Sequence, residues 1–154
     1  MRLMLKGGGS ENVGAQYKLP HAPLNAGRDL DGVRKVIIDA VVNAQGLGCA
    51  PGIIGVGIGG GRDTSYTLSK EQFFRNIGQR SENKELARLE ASLLEDLNKL
   101  DIGPMGFGGN TTVLDVFIAS QHRHPATFFV SVSYTCWAFR RKTMTIKNGE
   151  VQYD

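Results

Sequence analysis

Three clusters of glycine constrain the fold of this chain more than any other feature. They lie at residues 7–9, 55–61 and 103–109, and glycine makes up 20 of the 154 residues, against a usual share of roughly 7%. The spacing is not periodic, which excludes a collagen-like repeat. Because glycine lets one backbone approach another backbone or a ligand closely, the clusters predict tight loops between packed elements.

Length, charge and hydropathy are those of a single soluble domain. A chain of 154 residues can build one core that buries roughly 68–70% of its unfolded surface. The net charge is only +3 and the charges are interspersed, apart from a basic run at 140–142, so no nucleic-acid surface is indicated. No apolar run is long enough for a membrane span or a signal peptide. Two cysteines do not make a disulfide framework, so a cytoplasmic location is expected.

Apolar periodicity predicts three helices. The first is capped by Asp29 and runs to Ala44, and we expect a glycine at 46 or 48 to end it in the left-handed conformation. The second covers residues 64–75. The third covers residues 81–100 and carries leucines at spacings of three and four on one side, with charged residues opposite.

Strand patterns dominate the last third of the chain. Runs rich in β-branched and aromatic residues predict strands at 112–119 and 127–137, in addition to shorter apolar strands at 2–5 and 53–58. A hairpin of residues 141–146 and 150–153 is expected about Asn148 and Gly149, a typical two-residue turn. The predicted fold class is therefore α/β (mixed α+β), with three helices packed on a mixed sheet and a C-terminal β-hairpin.

The pattern Gly55-x-Gly57-x-x-Gly60 formally matches the dinucleotide-binding fingerprint. That fingerprint needs an acidic residue about 20 positions further on for the ribose, and residues 75–81 contain none. The alternative is a glycine-rich strand packed against another backbone, and the sequence favours it.

Two further patterns leave alternatives open. Residues 7–10, Gly-Gly-Gly-Ser, are either a nest of N–H donors for an anion or a flexible surface turn. Cys49 and Cys136 could join His122 and His124 in a tetrahedral zinc site. Neither cysteine belongs to a locally paired motif, so two free thiols without a ligand role are the commoner outcome for such a pattern.

Taken together, several ordered runs give a more specific signal than any one of them. These are Lys-Gly-Gly-Gly-Ser-Glu-Asn at 6–12, Gly-Cys-Ala-Pro at 48–51, Ile-Gly-Val-Gly-Ile-Gly at 54–59, Leu-Glu at 89–90 with Leu-Asn at 97–98, Ile-Gly-Pro-Met-Gly-Phe-Gly-Gly-Asn-Thr-Thr at 102–112, Arg-His-Pro-Ala at 123–126, and Cys-Trp-Ala at 136–138 with Arg-Arg at 140–141. Over nearly its whole length the chain resembles the α part of the iron–sulfur hydro-lyases, the class I fumarases and L-tartrate dehydratases.

The resemblance implies a role for four residues. Cys49 and Cys136 would be two of three thiolate ligands to a [4Fe–4S] cluster, whose fourth iron acts as a Lewis acid on the substrate. Gly9 would offer its backbone to a small dicarboxylate substrate, and His124 would donate a hydrogen bond to a substrate carboxylate. The alternative for His124 is a structural contact at the start of a strand. The implied Cys-Pro-Pro pattern of the family is Cys-Ala-Pro here.

The same resemblance implies missing parts. The third cysteine ligand and a substrate-binding arginine belong to a region that would precede residue 1, so residues 1–154 would be an α-type domain lacking its N-terminal part. The resemblance implies that the remaining catalytic groups come from a β subunit or β domain, that the enzyme is an oligomer, and that the chain alone is inactive. Fumarate hydration to (S)-malate is the first expectation. The alternatives are L-tartrate dehydration, or a non-catalytic assembly module with free or zinc-bound cysteines.

Overall fold

The computed structural model describes residues 1–153, and its first helix forms as its sequence predicts. In α1 (Leu30–Ala44) the Asp29 carboxylate accepts a hydrogen bond from the Gly32 N–H at 2.7 Å, which caps the N-terminus. The prediction of a left-handed glycine at the other end is wrong, because the residue with positive φ at this end is Gln45, with φ 44° and ψ −137°. Gly46 is required for space instead: a Cβ there would lie 2.3 Å from the Met105 carbonyl oxygen.

The other two helices are shorter than or shifted from their predicted ranges. The helix α2 (Arg62–Glu71) begins two residues earlier than predicted and continues as a 3₁₀ turn, Gln72–Phe74. The helix α3 (Lys84–Asn98) begins at residue 84 rather than 81, because the Asn83 side chain caps it by accepting hydrogen bonds from the N–H groups of residues 85 and 86. Asn98 forms the last turn of α3 and bonds to the backbone at residues 112 and 113.

Four strands form the main sheet in the order β2-β5-β3-β4. They are β2 (Ala15–Lys18), β3 (Gly52–Ile58), β4 (Val113–Ser120) and β5 (Phe129–Cys136). β3 and β4 are parallel and the other pairs are antiparallel. The sequence did not predict β2, because its four residues have no apolar run and it is stabilised as an edge strand by pairing with β5.

The predicted C-terminal hairpin forms, but it belongs to a second sheet. The strands β6 (Arg140–Lys147) and β7 (Glu150–Tyr153) join β1 (Arg2–Leu5) in the order β1-β6-β7, all antiparallel. Asn148 and Gly149 both have positive φ, as the predicted two-residue turn requires. The fold class is confirmed as mixed α/β, with the correction that the strands form two sheets rather than one.

Alternation along β3 places helices on both faces of the main sheet. Ile54 and Val56 belong to the large core that also contains the apolar faces of α1 and α3. Gly55 and Gly57 face α2, where an added Cβ would lie 2.2 Å from the Ser69 carbonyl oxygen and 2.1 Å from that of Ser65. The predicted packing role of these glycines is therefore confirmed.

The helices are amphipathic and short. Each of the two longest, α1 and α3, has 15 residues. Within residues 1–153 no helix has the length and apolar character needed to cross a membrane.

A buried carboxylate joins α3 to the main sheet. Glu90 is fully buried, and its oxygens accept hydrogen bonds from Arg75, at 2.7 and 3.2 Å, and from the N–H groups of Ser81 and Ile118, at 2.8 and 2.7 Å. Both of its oxygens are therefore paired within the chain. This ion pair fixes the loop that connects α2 to α3.

Candidate functional site

Cys49 and Cys136 lie at the same end of the main sheet. Cys136 is the last residue of β5 and pairs with Gly52, the first residue of β3. Cys49 comes three residues before Gly52, at the end of a 3₁₀ turn, Gln45–Gly48. Both cysteines are free; Cys136 is buried and Cys49 is half-buried. The pairing of β3 with β5 thus brings together two thiols that are far apart in the sequence.

The backbone of Cys49 adopts an unusual conformation. Its φ and ψ are 58° and 59°, in the left-handed region, which a residue with a Cβ adopts only at some cost. The Cys49 N–H donates a hydrogen bond to the Gly46 carbonyl at 3.0 Å and so holds the turn. Such strained positions cluster at functional sites, where the surrounding structure maintains them.

The glycine run at residues 7–9 reaches the same end of the sheet. Its 3₁₀ turn, Gly9–Glu11, contacts the end of β5 and the turn Gln45–Gly48. The buried Ser10 hydroxyl donates to the Gly7 carbonyl at 2.9 Å and accepts from Lys6 at 2.9 Å, so the turn is held rather than loose. A Cβ at Gly7 would lie 3.5 Å from the Cys136 sulfur, whereas a Cβ at Gly9 would have nothing within 4 Å. The backbone at Gly9 is therefore sterically open beside the cysteines.

Tyr134 is the residue of this site that the sequence analysis missed. It precedes Cys136 by two residues on β5, so both side chains share one face of the sheet. The Tyr134 ring is 2% exposed and its hydroxyl has no hydrogen-bond partner among the described residues. Burial raises the pKa of Tyr134 to about 12, and the neighbouring charges of Cys49 and Cys136 add to this. The spacing of two along a strand was the available signal.

His124 lies in the loop between β4 and β5 and is exposed. Its Nδ1 accepts a hydrogen bond from the Ala126 N–H at 3.1 Å, which leaves Nε2 to carry the proton of the neutral ring. Two arginines hold the turn by donating to its carbonyls, Arg123 at 3.0 to 3.3 Å and Arg28 at 3.3 Å. His124 is therefore an oriented N–H donor directed away from the loop backbone.

The structure does not bring His124 to the cysteines. The loop precedes Phe129, the first residue of β5, and Cys136 is the last. At about 3.3 Å per residue the two ends of this strand are ~23 Å apart. The hypothesis of one zinc site formed by both cysteines and the histidines at 122 and 124 is therefore wrong. Among residues 1–153 no three His, Cys, Asp or Glu side chains are grouped to hold a metal ion.

We call the end of the main sheet where Cys49, Cys136 and the glycine run at 7–9 lie the cysteine end. The two thiols there suit part of an iron–sulfur ligand set. Thiolates are the usual protein ligands of such clusters, which generally need more than two of them. The unpartnered Tyr134 hydroxyl and the open space beside Gly9 indicate that the site is shaped for a further polar group. The two thiols therefore fit the cluster that the resemblance implies as a partial set, without a third ligand in the described part of the chain.

Comparison with known proteins identifies the family of this chain. Residues 1–145 match the family model described as fumarate hydratase (Fumerase). The chain is 56% identical over 156 aligned residues to a protein provisionally named fumarate hydratase class I from Geobacillus stearothermophilus, covering 98% of this chain and 30% of that protein.

Other relatives carry a different name. A protein provisionally named L(+)-tartrate dehydratase subunit alpha, from Methanocaldococcus jannaschii, is 41% identical, with 92% of this chain and 48% of that protein aligned. The L(+)-tartrate dehydratase subunit alpha of Escherichia coli is 41% identical, with 75% and 38% aligned. The chain thus spans between about a third and a half of the length of these relatives. Because the family match extends over nearly all of the residues that build the cysteine end, the chain belongs to the fumarate hydratase (Fumerase) family.

Proposed function

We propose that this chain is part of a [4Fe–4S]-dependent hydro-lyase that interconverts fumarate and (S)-malate. The observation that carries the proposal is the convergence of two free thiols, a sterically open glycine turn and an unpartnered buried hydroxyl at one end of the sheet. Cys49 and Cys136 would hold the cluster as two of its ligands. When bound, the cluster supplies Lewis-acid chemistry that makes a substrate hydroxyl a better leaving group.

The chain's own residues would bind and orient a dicarboxylate. The Gly9 backbone is open to an approaching anion, and the turn that contains it has an excess of positive charge. Glu11 pairs with both Lys6 and Lys70, so two ammonium groups face one carboxylate. A net positive charge beside backbone donors favours a small dianion over a neutral substrate.

Fumarate is preferred to tartrate as the substrate on the strength of the relatives. The relative at 56% identity is named as a class I fumarate hydratase, and those at 41% are named as tartrate dehydratase α subunits. (S)-Malate and L-tartrate, the hydroxy acids that the two reactions dehydrate, differ by one hydroxyl. Dehydration of L-tartrate therefore remains the second candidate.

Further protein would complete the site. Large apolar side chains are exposed around the cysteine end: Leu47 at 74%, Phe107 at 92% and Trp137 at 58%. Leu47 lies two residues before Cys49, and Trp137 directly follows Cys136. We propose that further protein, including a β subunit or β domain, covers this surface and supplies the remaining ligand and catalytic groups, because such apolar exposure favours an interface.

His124 would act in the site of a second copy. In one copy it is separated from the cysteines by the length of β5, and packing of this strand within the core prevents that distance from closing. Mixing a Cys49→Ser variant with a His124→Asn variant tests this in the whole protein. If each copy contributes to the other's site, the mixture should regain activity that neither variant has; no recovery would contradict a shared site.

Iron and acid-labile sulfide per chain, after anaerobic reconstitution of the protein that contains this chain, test the proposed function. Iron with equimolar sulfide, together with malate dehydration that exceeds tartrate dehydration, is the expected result. A tartrate-only activity would favour the second candidate. Zinc without sulfide would favour a non-catalytic assembly module and overturn the proposal.

A further inference from the structure

The buried hydroxyl of Tyr134 has no partner within residues 1–153. Two other buried side-chain atoms also lack one, Nδ1 of His21 and Oγ1 of Thr135. Thr135 points to the opposite face of β5 from its neighbours, and His21 packs edge-on against Tyr17. Only the Tyr134 hydroxyl among these three shares its face of the strand with Cys136. Leaving a hydroxyl unpaired in a core is costly, so a partner is expected.

Two glycines leave the space that the Tyr134 ring occupies. A Cβ at Gly48 would lie 2.5 Å from ring atom Cε1, and a Cβ at Gly52 would lie 2.2 Å from the same atom and 2.6 Å from the hydroxyl oxygen. All three distances are shorter than any ordinary contact, so the ring fills the space that the absent side chains leave. Gly52 pairs with Cys136 and Gly48 directly precedes Cys49. The cradle that fixes the ring is therefore made by the neighbours of the two cysteines.

We propose that the Tyr134 hydroxyl donates a hydrogen bond to a sulfur atom of the cluster held by Cys49 and Cys136, as a positioning residue. The inference rests on the proposed function. The hydroxyl lies between the segments that carry both thiols, and the described part of the chain offers it no acceptor. A hydrogen bond to sulfur offsets negative charge, and reduction of a cluster adds such charge. The bond should therefore raise the reduction potential of the cluster and help to retain it.

Tyr134→Phe tests the inference, with Tyr17→Phe as the matched control. The Tyr17 hydroxyl also lies in a partly buried position, but it donates to Asp39 at 2.8 Å, on α1. In the anaerobically reconstituted protein, Tyr134→Phe should shift the reduction potential to more negative values and speed the loss of iron–sulfur absorbance in air. Tyr17→Phe should change neither property.

The apo form gives a second readout with the opposite pattern. Removing an unpaired hydroxyl should leave the unfolding temperature of apo Tyr134→Phe unchanged or higher, whereas apo Tyr17→Phe should unfold at a lower temperature because a real bond is lost. An unchanged potential and cluster lifetime in Tyr134→Phe would overturn the inference, including the case in which a buried water is the true partner. Failure of the wild-type protein to take up iron and sulfide would instead overturn the proposed function.

Discussion

Tyr134 and Glu90 are both buried polar side chains beside the main sheet, but only one of them is satisfied. The Glu90 carboxylate accepts from Arg75 and from two backbone N–H groups, and nothing outside the chain is needed. The Tyr134 hydroxyl has no partner among the described residues. Since an unpaired buried group lowers stability and a paired one does not, the difference separates a part of the molecule that completes the fold from a part that awaits a ligand.

The surroundings of the two residues differ in the same way. Glu90 lies where α3, β4 and the loop after α2 meet, and each of these contributes a donor or a packing surface. Tyr134 lies among glycines, next to a strained Cys49 backbone and beside exposed apolar side chains. A fully paired carboxylate indicates a structural role for Glu90, and an unpaired hydroxyl beside an exposed apolar surface indicates binding at Tyr134.

The largest effect is expected from Cys49→Ser. If the cysteine end is open for a ligand, this change should reduce iron and sulfide per chain, and activity of the whole protein, to background, because a serine hydroxyl is a poor ligand for the cluster. The apo protein should keep its circular dichroism spectrum and unfolding temperature. Unfolding of the variant would show that the thiol has a core role and would remove the contrast with Glu90.

Glu90→Gln should have its main effect on the stability of the protein rather than on its iron and sulfide content. Loss of the carboxylate leaves Arg75 without its counter-ion in a buried position, so the free energy of unfolding should fall by about 3–5 kcal/mol in urea denaturation. Glu95→Gln, on the exposed side of the same helix, should change it by no more than about 0.5 kcal/mol. Equal stabilities for the two variants would contradict the structural role of Glu90.

A smaller loss is expected from Gly57→Ala, which tests the closed packing between β3 and α2. The new Cβ would lie 2.1 Å from the Ser65 carbonyl oxygen, so the helix must shift, at a cost of about 1–3 kcal/mol of unfolding free energy. Gly8→Ala is the control, because Gly8 has φ −63° and open space around its Cβ position. Its stability should stay within about 1 kcal/mol of the wild type.

The smallest effect concerns the ion pairs at the edge of the cysteine end. The hydrogen bond from Lys70, with a further one from Lys6, lowers the pKa of Glu11 below its ordinary value of 4.5, against the raising effect of partial burial. The stabilisation is therefore complete above pH 4.5 and is lost as the pH falls through the lowered pKa of the folded state. Because the carboxylate is 44% exposed, the contribution should be below about 1 kcal/mol. In Glu11→Gln the free energy of unfolding should fall less between pH 4.5 and lower pH, by this amount, than it does in the wild type. The same pH dependence in both proteins would contradict the pairing.

Local patterns predicted most of the elements and few of their ends. The leucine stripe of α3 and the turn at Asn148 and Gly149 depend on neighbouring residues alone, so the sequence carries their signal. The start of α3 at Lys84 depended on which polar residue capped it, and several candidates were present. The edge strand β2 was missed because its stability comes from pairing with β5, which no local pattern contains.

The candidate site was predicted in the same uneven way. Cys49, Cys136 and the glycine turn were identified from the runs that resemble the hydro-lyases, and the β3–β5 pairing brings them to one end of the sheet. Their roles as ligands and substrate contacts stay predictions. The separation of His124 from Cys136 follows from the predicted strand at 127–137, because an extended strand of that length puts the two residues at opposite ends. The zinc hypothesis did not take this length into account.

The sequence by itself determined the three helices, most of the strands, the family and the residue types available for chemistry, since periodicity and ordered runs are properties of the chain. Only the tertiary structure decided which of those residues meet. Strand pairing placed Cys49 and Cys136 at the same end of the main sheet, and the glycines at 48 and 52 packed against the Tyr134 ring. The absence of a partner for the Tyr134 hydroxyl is likewise a property of the packed structure, because a hydrogen bond is made or missed only when all neighbouring segments are in place.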